Sequence, residues 1–254
     1  MSQPVGYRRV NRPVVAVALD YPPGERLAAH RHGRAQLVYA ATGVMRVATC
    51  DGTWVVPPER AVWVPADVDH TIDMSGAVAM RTLYLQPSAL AAMPESCCVV
   101  NVSPLLRELV LRAVELAHEY PLGGAEERLV AVLLDEIRSA PHAPLHLPLS
   151  NDERLRAVMD GLMADPADGR CLPQWARDVG ASGRTLARLF VKETGMTFRG
   201  WRQQLRLVRA LEELAAGRSV TEVALDVGYE SPSAFIAMFR RALGETPGRY
   251  VGRS

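Results

Sequence analysis

Three histidines carry the first chemical signal in this chain. His30 and His32 lie two apart in "GERLAAHRHGRAQLVYAATG", so on an extended strand both point to the same side. His70 follows in "PADVDHTID". Three imidazole nitrogens aimed into one small β-barrel can hold a divalent transition metal such as Zn or Ni. The same groups can instead hydrogen-bond a small ligand. A plainer reading leaves two histidines in a loop and the third at a strand end. Tyr39, Trp54, Trp63 and Tyr84 are expected as walls of a ligand pocket, or as ordinary barrel core.

The second signal is charge. The net charge is +1, yet between residues 170 and 209 nine basic residues meet only Asp178 and Glu193. Such a concentration suits a polyanionic partner. It coincides with a repeat. Ala176, Val179 and Gly180 recur 48 residues on as Ala224, Val227 and Gly228. Leu186, Phe190, Gly195, Thr197 and Trp201 recur 49 residues on as Phe235, Phe239, Gly244, Thr246 and Tyr250. Each copy reads as helix, glycine turn, helix, with Ser182 and Ser231 placed to cap the second helix. That is the layout of a helix-turn-helix, whose second helix enters the DNA major groove. Between the copies, 197–217 reads as one helix with Trp201, Leu205, Val208, Leu211 and Leu214 at helical spacing. A rod of roughly 27 Å can hold two recognition helices about one DNA turn apart. Arg202, Arg206 and Arg209 lie off its apolar stripe and are expected at phosphates or as solubilising charge.

The elements that must position these groups follow from periodicity. Strands are expected at 14–20, 35–39, 44–49, 53–56, 61–64 and 78–85, separated by Gly, Pro and Asp. Ser103-Pro104 opens a helix running to about residue 120, and a second helix covers 125–139. Leu105, Leu109, Arg112 and Leu116 form a stripe that either seals a dimer or covers the barrel. The proline-bearing stretch 140–150 reads as a linker, and "SNDE" at 150–153 reads as a capping box. No stretch of about 18 apolar residues spans a membrane, and "MSQPVGYRRV" has no secretory character, which places the protein in the cytoplasm. Cys50, Cys97, Cys98 and Cys171 form no CxxC pair and read as small hydrophobes.

Two resemblances sharpen this. Residues 151–252 resemble the DNA-binding domain of the AraC/XylS family of bacterial transcription regulators. The likeness is carried by "ARDVGASGRTLARLFVKETG" and by "VTEVALDVGYESPSAFIAMFRRALGETPGRY", with Ala224, Val227, Gly228, Tyr229, Ser231, Phe235, Phe239, Arg240, Gly244, Pro247 and Tyr250 in place. It implies that base edges are met by Gly183, Arg184, Ala187 and Arg188 from the first recognition helix. Pro232, Ser233, Ile236 and Ala237 do so from the second. Ser182, Thr185, Lys192, Ser231, Arg240 and Arg241 complete the implied DNA surface. Arg184 and Arg188 can contact guanine bidentately, whereas Pro232, Ile236 and Ala237 offer no side-chain donor, so base discrimination should lean on the first motif. The N-terminal part is similar to the cupin family. Gly24, His30, His32 and Gly43 fit its first pattern, with Gln36 where Glu is expected. Pro65 and His70 fit the second, with Asp67 for Gly and Met74 for Asn. The block from Ala35 to His70 is similar to a branch of AraC-type regulators with compact cupin sensors, some of which control efflux or detoxification genes.

The expected architecture is α+β: a cupin-like β-barrel sensor (1–98), a two-helix dimerisation segment (99–149) and an all-α domain with two helix-turn-helix motifs (150–254). The expected function is a homodimeric transcription regulator, not an enzyme. It binds a double-stranded promoter operator beside RNA polymerase and answers to a small-molecule or metal effector. The rival readings are a cupin metalloenzyme and a constitutive DNA-binding protein whose barrel senses nothing.

Overall fold

The computed structural model describes residues 10–58, 60–90, 93–143 and 146–251; most of the N-terminal stretch read for a leader lies outside them. The chain forms two compact units. One runs to residue 145 apart from 50–53; the other comprises 50–53 and 146 onward.

The first unit is built on antiparallel strands. They are β1 (Val14–Tyr21), β2 (Arg26–His30), β3 (Ala35–Ala48), β4 (Gly52–Val56), β5 (Arg60–Val64), β6 (His70–Leu85), β7 (Cys98–Asn101) and a short β8 (His142–Ala143). The order is β1-β6-β3-β5-β7-β8, and β2 pairs the opening of β6. β6 is the organising strand, since β1, β2 and β3 all bond to it. Side chains alternate across the sheet. Leu37 and Tyr39 of β3, Ala61 and Trp63 of β5, and Leu83 and Leu85 of β6 share one core with Val14 and Ala16. Two helices complete that core, α1 (Pro104–Ala113) through Leu106 and Val110, and α2 (Ala125–Ser139) through Val130, Leu133 and Ile137. The opposite face carries Gln36, Thr82 and Tyr84.

Several elements differ from the sequence expectation. The strands expected at 35–39 and 44–49 are one strand. Gly43, at φ +79°, takes up a register shift against β6, and a Cβ there would stand 2.2 Å from the Ala77 carbonyl oxygen, so only glycine lets the strand continue. β2 and β7 were not expected: "RLAAH" lacks β-branched residues, and "CVVN" is only four residues long. α1 stops at Ala113 instead of near 120. Its end tightens into turns, and the Arg12 Nε–H donates to the Tyr120 carbonyl at 2.6 Å, drawing the chain back to the sheet. Of the α1 stripe, Leu109 and Leu116 pack on the sheet core, while Leu105 stays 52% exposed.

The second unit holds β9 (His146–Pro148) and seven helices: α3 (Glu153–Ala164), α4 (Leu172–Asp178), α5 (Gly183–Thr194), α6 (Phe198–Ala215), α7 (Val220–Asp226), α8 (Pro232–Leu243) and α9 (Pro247–Val251). α3 is capped by Asp152, whose carboxylate accepts from the Arg154 and Leu155 N–H groups. Ser150, expected as the cap, instead accepts from the Asp152 N–H. Asp152 stands immediately before the helix, so its carboxylate reaches the first-turn N–H groups, whereas Ser150 lies two residues further out.

The sequence repeat is repeated bond for bond. After α4 the Ala181 N–H donates to the Ala176 carbonyl at 2.8 Å, across Gly180 at φ +65°. After α7 the Tyr229 N–H donates to the Ala224 carbonyl at 2.9 Å, across Gly228 at φ +81°. α5 and α8 are capped by Ser182 and Ser231 and end at left-handed Gly195 and Gly244. Phe190 meets Trp201 in one copy as Phe239 meets Tyr250 in the other, at 6.1 and 5.6 Å between rings.

The two turn glycines are not equivalent. A Cβ on Gly180 meets nothing within 4 Å, whereas one on Gly228 would stand 2.7 Å from the Ala167 Cα and 2.5 Å from an Arg206 nitrogen. Gly180→Ala should therefore lose only the left-handed penalty, about 1–2 kcal/mol. Gly228→Ala should lose about 1–3 kcal/mol more through overpacking. Equal losses in urea denaturation of the full chain would contradict this.

Candidate functional site

The histidine cluster is assembled by β2–β6 pairing, in which His30 stands opposite His70. His32 lies two residues beyond His30, where the Asp67 N–H donates to its carbonyl at 2.7 Å. Asp67 takes φ +61°. It stands where the cupin pattern has glycine, and Asp is among the few side chains that tolerate this backbone. The departure from the pattern thus keeps the turn that delivers His70.

The three rings converge, with centroids 4.3 Å apart for His30 and His70, 5.0 Å for His30 and His32, and 5.4 Å for His32 and His70. One ligand atom from each lies within 4.8 Å of the others. His32 and His70 are buried, and His30 is half-buried. A carbonyl can only accept, so two tautomers are fixed. The His30 Nδ1–H donates to the Ala28 carbonyl at 2.7 Å, and the His70 Nδ1–H to the Val68 carbonyl at 2.9 Å. In each neutral ring Nε2 is then a lone pair, as a metal ligand requires. His30 Nε2 is buried without a hydrogen-bond partner among the described residues.

Burial, and secondarily the neighbouring His30, lowers the pKa of His70 to about 4, so its ring is neutral at pH 7 and ligation there releases no proton.

Gln36 joins the cluster from β3. Its amide lies 3.1 Å from His70 Nε2 and 2.8 Å from the Thr82 hydroxyl, which also reaches the Leu37 carbonyl at 3.2 Å. With the Gln36 Nε2–H donating to Thr82, the hydroxyl gives its one proton to the Leu37 carbonyl. A lone pair on His70 Nε2 calls for the amide turned over, its NH2 toward the imidazole, and Thr82 then donates to the amide oxygen in place of Leu37. This orientation keeps the same heavy atoms in place. Thr82 was not singled out from the sequence. Strand alternation puts it on the Gln36 face beside Tyr84, which is the signal that could have found it.

His30, His32, Gln36 and His70 therefore come together. The expected pocket walls do not. Tyr84 packs its edge on His32 at 5.1 Å, but Tyr39 and Trp63 lie on the other sheet face, in the core shared with α1 and α2. Their odd positions on β3 and β5 decide this. Trp54 is buried in β4.

The second candidate surface lies on α5 and α8. Arg184, Arg188 and Lys192 follow one another at i, i+4, i+8 on the exposed side of α5, opposite Leu186 and Phe190 in the core. Among the described residues Arg184 and Arg188 make no ion pair, while Lys192 reaches Glu193 at 3.3 Å on the surface. Gly183 and Ala187 are half-buried beside them. Ser182 and Thr185 are occupied locally: Ser182 accepts the Thr185 N–H, and their hydroxyls lie 2.9 Å apart. On α8, Ser233, Ala237, Arg240 and Arg241 are exposed and Ile236 and Pro232 half-buried, with Ser231 as cap.

The α6 arginines are neither simply free nor simply solubilising. Arg206 is half-buried, donating to the Pro166 and Gly228 carbonyls at 3.0 Å each and lying over the Tyr229 ring. Arg202 donates to the Arg170 carbonyl at 3.1 Å, and Arg209 pairs with Glu212 at 2.9 Å. Arg206 thus ties the loop after α3 to the second glycine turn.

Known proteins resemble both halves of the chain. Residues 175–253 match a family described as a helix-turn-helix domain, and residues 12–129 match one described as an AraC-like ligand binding domain. The HTH-type transcriptional regulator NimR of Escherichia coli K12 is 41% identical over 224 residues, covering 88% of this chain and 82% of that protein. The HTH-type transcriptional regulator RipA of Corynebacterium glutamicum is 39% identical over 104 residues, covering 41% of this chain and 31% of that one. A crystal structure of ToxT from Vibrio cholerae aligns over 95% of this chain and 98% of its own, with 10% identity and a TM-score of 0.41.

The two helices should not contribute equally to base reading. Arg188→Ala is expected to remove about 1–3 kcal/mol of discrimination at one base pair, the worth of a bidentate guanine contact. Ala237→Ser should leave base preference nearly unchanged. The measurement is the base preference of each variant on DNA selected from a random pool by the wild-type chain. Equal loss in both would refute the asymmetry.

Proposed function

The chain belongs to the AraC/XylS family of transcription regulators, and from that membership we propose a one-component regulator whose His30, His32 and His70 bind a divalent transition metal that controls promoter affinity. The DNA-binding half is the tandem helix-turn-helix domain, and the N-terminal half is the AraC-like ligand-binding domain. The observation that carries the metal reading is the pair of locked tautomers. Two backbone carbonyls hold Nδ1 protons, which leaves His30 Nε2 a buried lone pair and His70 Nε2 a lone pair beside the Gln36 amide, in a cluster whose ligand atoms lie within 4.8 Å of one another.

The donor set fits Zn or Ni better than a hard cation, because it supplies imidazole nitrogens and a neutral amide rather than carboxylates. A bound ion would supply charge and fixed ligand geometry. The residues of this chain do the rest. His30, His32 and His70 would hold it, while Gln36 exchanges its hydrogen bond to His70 for a place in the ligand set or for Thr82 alone. Occupation of the cluster would then tighten β2 against β6. A small polar effector is the second reading, favoured by the hydrogen-bond chain His70–Gln36–Thr82, which already presents polar groups to such a ligand.

Coupling between effector and DNA of about 1–3 kcal/mol would change affinity 5- to 150-fold. Exposed Leu105 on α1 and Val132 on α2, with Leu122 between them, support a homodimer formed through this helical pair. The same reading has the regulator working at a promoter beside RNA polymerase, in the cytoplasm. No helix among the described residues is long and apolar enough to cross a membrane. The named relatives are transcription regulators, which supports a regulator rather than an enzyme.

Elemental analysis of the purified full chain should find about one metal ion per sensor domain, lost in His70→Ala. Chelation should shift its affinity for wild-type-selected DNA at least fivefold. Gln36→Glu, which adds a carboxylate, should tighten Zn binding tenfold or more, roughly 1.4 kcal/mol. A metal-free protein that fails to take up Zn or Ni would refute the metal reading.

A further inference from the structure

We propose that an arginine-lined hollow between α6 and α8 seats a backbone phosphodiester of bound double-stranded DNA, with Arg199 and Arg241 as its ion-pair partners. This rests on the DNA-binding reading above and deepens it: Arg241 at the edge of the α8 surface is joined by Arg199 of α6 in holding one phosphate.

The hollow has a volume of about 300 Å³, and four guanidinium groups line it, those of Arg199, Arg202, Arg206 and Arg241, with no carboxylate in the lining. The inner two are fixed from behind. Arg202 donates to the Arg170 carbonyl and Arg206 to the Pro166 and Gly228 carbonyls. Carbonyls orient a guanidinium without neutralising it. Burial, reinforced by the charge of Arg202, pushes the Arg206 pKa down, against the smaller opposing pull of Tyr229 and of the Asp165 carboxylate. The outer two, Arg199 and Arg241, are exposed and make no ion pair among the described residues. Four arginines in a lining that holds no carboxylate suit an anion with several acceptor oxygens, and guanidinium forks match phosphate.

The geometry favours DNA over a free phosphorylated molecule. The hollow is open-sided, whereas small-ligand sites bury most of their ligand. It opens beside Ala237, which is also a residue implied at base edges, so a duplex in the groove of α8 brings its own backbone to the opening. Ala237 is a small residue on that wall and leaves a phosphate room to enter. α6 also packs with α5 and joins the two hairpins, so the phosphate seated here belongs to the stretch between the two major-groove segments. A phosphate carries no base identity, so the hollow should set affinity and register, leaving sequence preference to the recognition helices.

The test uses the full chain and duplex DNA selected by it from a random pool. Affinity is measured by fluorescence anisotropy between about 50 and 200 mM salt, where log affinity falls linearly with log salt by about 0.9 per phosphate contact. Arg199→Ala and Arg241→Ala should each weaken binding and lower that slope, together by about 0.9 in the double variant since they share one phosphate, while Arg199→Lys keeps most of it. The base preference of both alanine variants should match wild type. Thermal melting checks folding, and both side chains are exposed, so their removal should leave it intact. A methylphosphonate placed between the two readout segments should weaken wild type and leave the double alanine variant unaffected. Unchanged salt slopes in the double variant would overturn the proposal. So would tight binding of inorganic tripolyphosphate without DNA, lost in the double variant while the slopes stay unchanged, since the hollow would then serve a small anion. A wild-type chain that selects no DNA at all would instead sink the DNA-binding reading itself.

Discussion

The apolar stripe of α6 is the constraint on which the DNA-binding unit depends. Trp201, Leu205, Val208, Leu211 and Leu214 are all nearly inaccessible to water. The N-terminal part of this stripe is built into the core of α3, α4 and α5, where Phe190 packs on Phe198 and Trp201. Its C-terminal part lies under α7 and α9. Burying a large apolar side chain contributes about 1.5–3 kcal/mol each, so one helix supports two hairpins at once. Neither hairpin is large enough to bury its own apolar face, as their short first helices of seven residues indicate. The polar flank of α6 is left for charge, and there Arg206 bonds two loop carbonyls, joining the helix to the second turn.

In the sensor unit the governing balance is desolvation against ligation. Burying imidazole disfavours its charged form, which holds His70 neutral and available as a ligand. Buried polar nitrogens call for partners, and each partner found here has a direction. The Ala28 and Val68 carbonyls take one proton from each of two rings and so decide which nitrogen faces inward. Gln36 offers the cluster a hydrogen bond without a charge.

Much of this was legible from residue types. The double helix-turn-helix could be read because each copy spells its own backbone: serine for the cap, glycine for the left-handed turn, apolar residues at helical spacing. The bonds across Gly180 and Gly228 are local and follow directly from those letters. Other features were misread because local pattern competes with tertiary pairing. Gly43 reads as a turn and proves to be a register shift inside one long strand, since β6 pairs along its whole length. Tyr39 and Trp63 read as pocket walls because they are aromatic. Their position in the alternation sends them to the helical side, and alternation cannot say which face is which until α1 and α2 cover one of them.

The sequence by itself determined the chemistry available: three histidines, a stretch where basic residues far outnumber acids, and two hairpins of one design. Composition and short-range spacing suffice for that, because caps, turns and helical stripes involve residues within a few positions of one another. The tertiary structure decided which of these groups meet. His30 and His70 are forty residues apart and become partners through β2–β6 register alone. Thr82 reaches Gln36, and Arg206 reaches Pro166 and Gly228, through contacts that span tens of residues. Long-range pairing is set by the burial of whole faces, a sum over many side chains that no local stretch of sequence records.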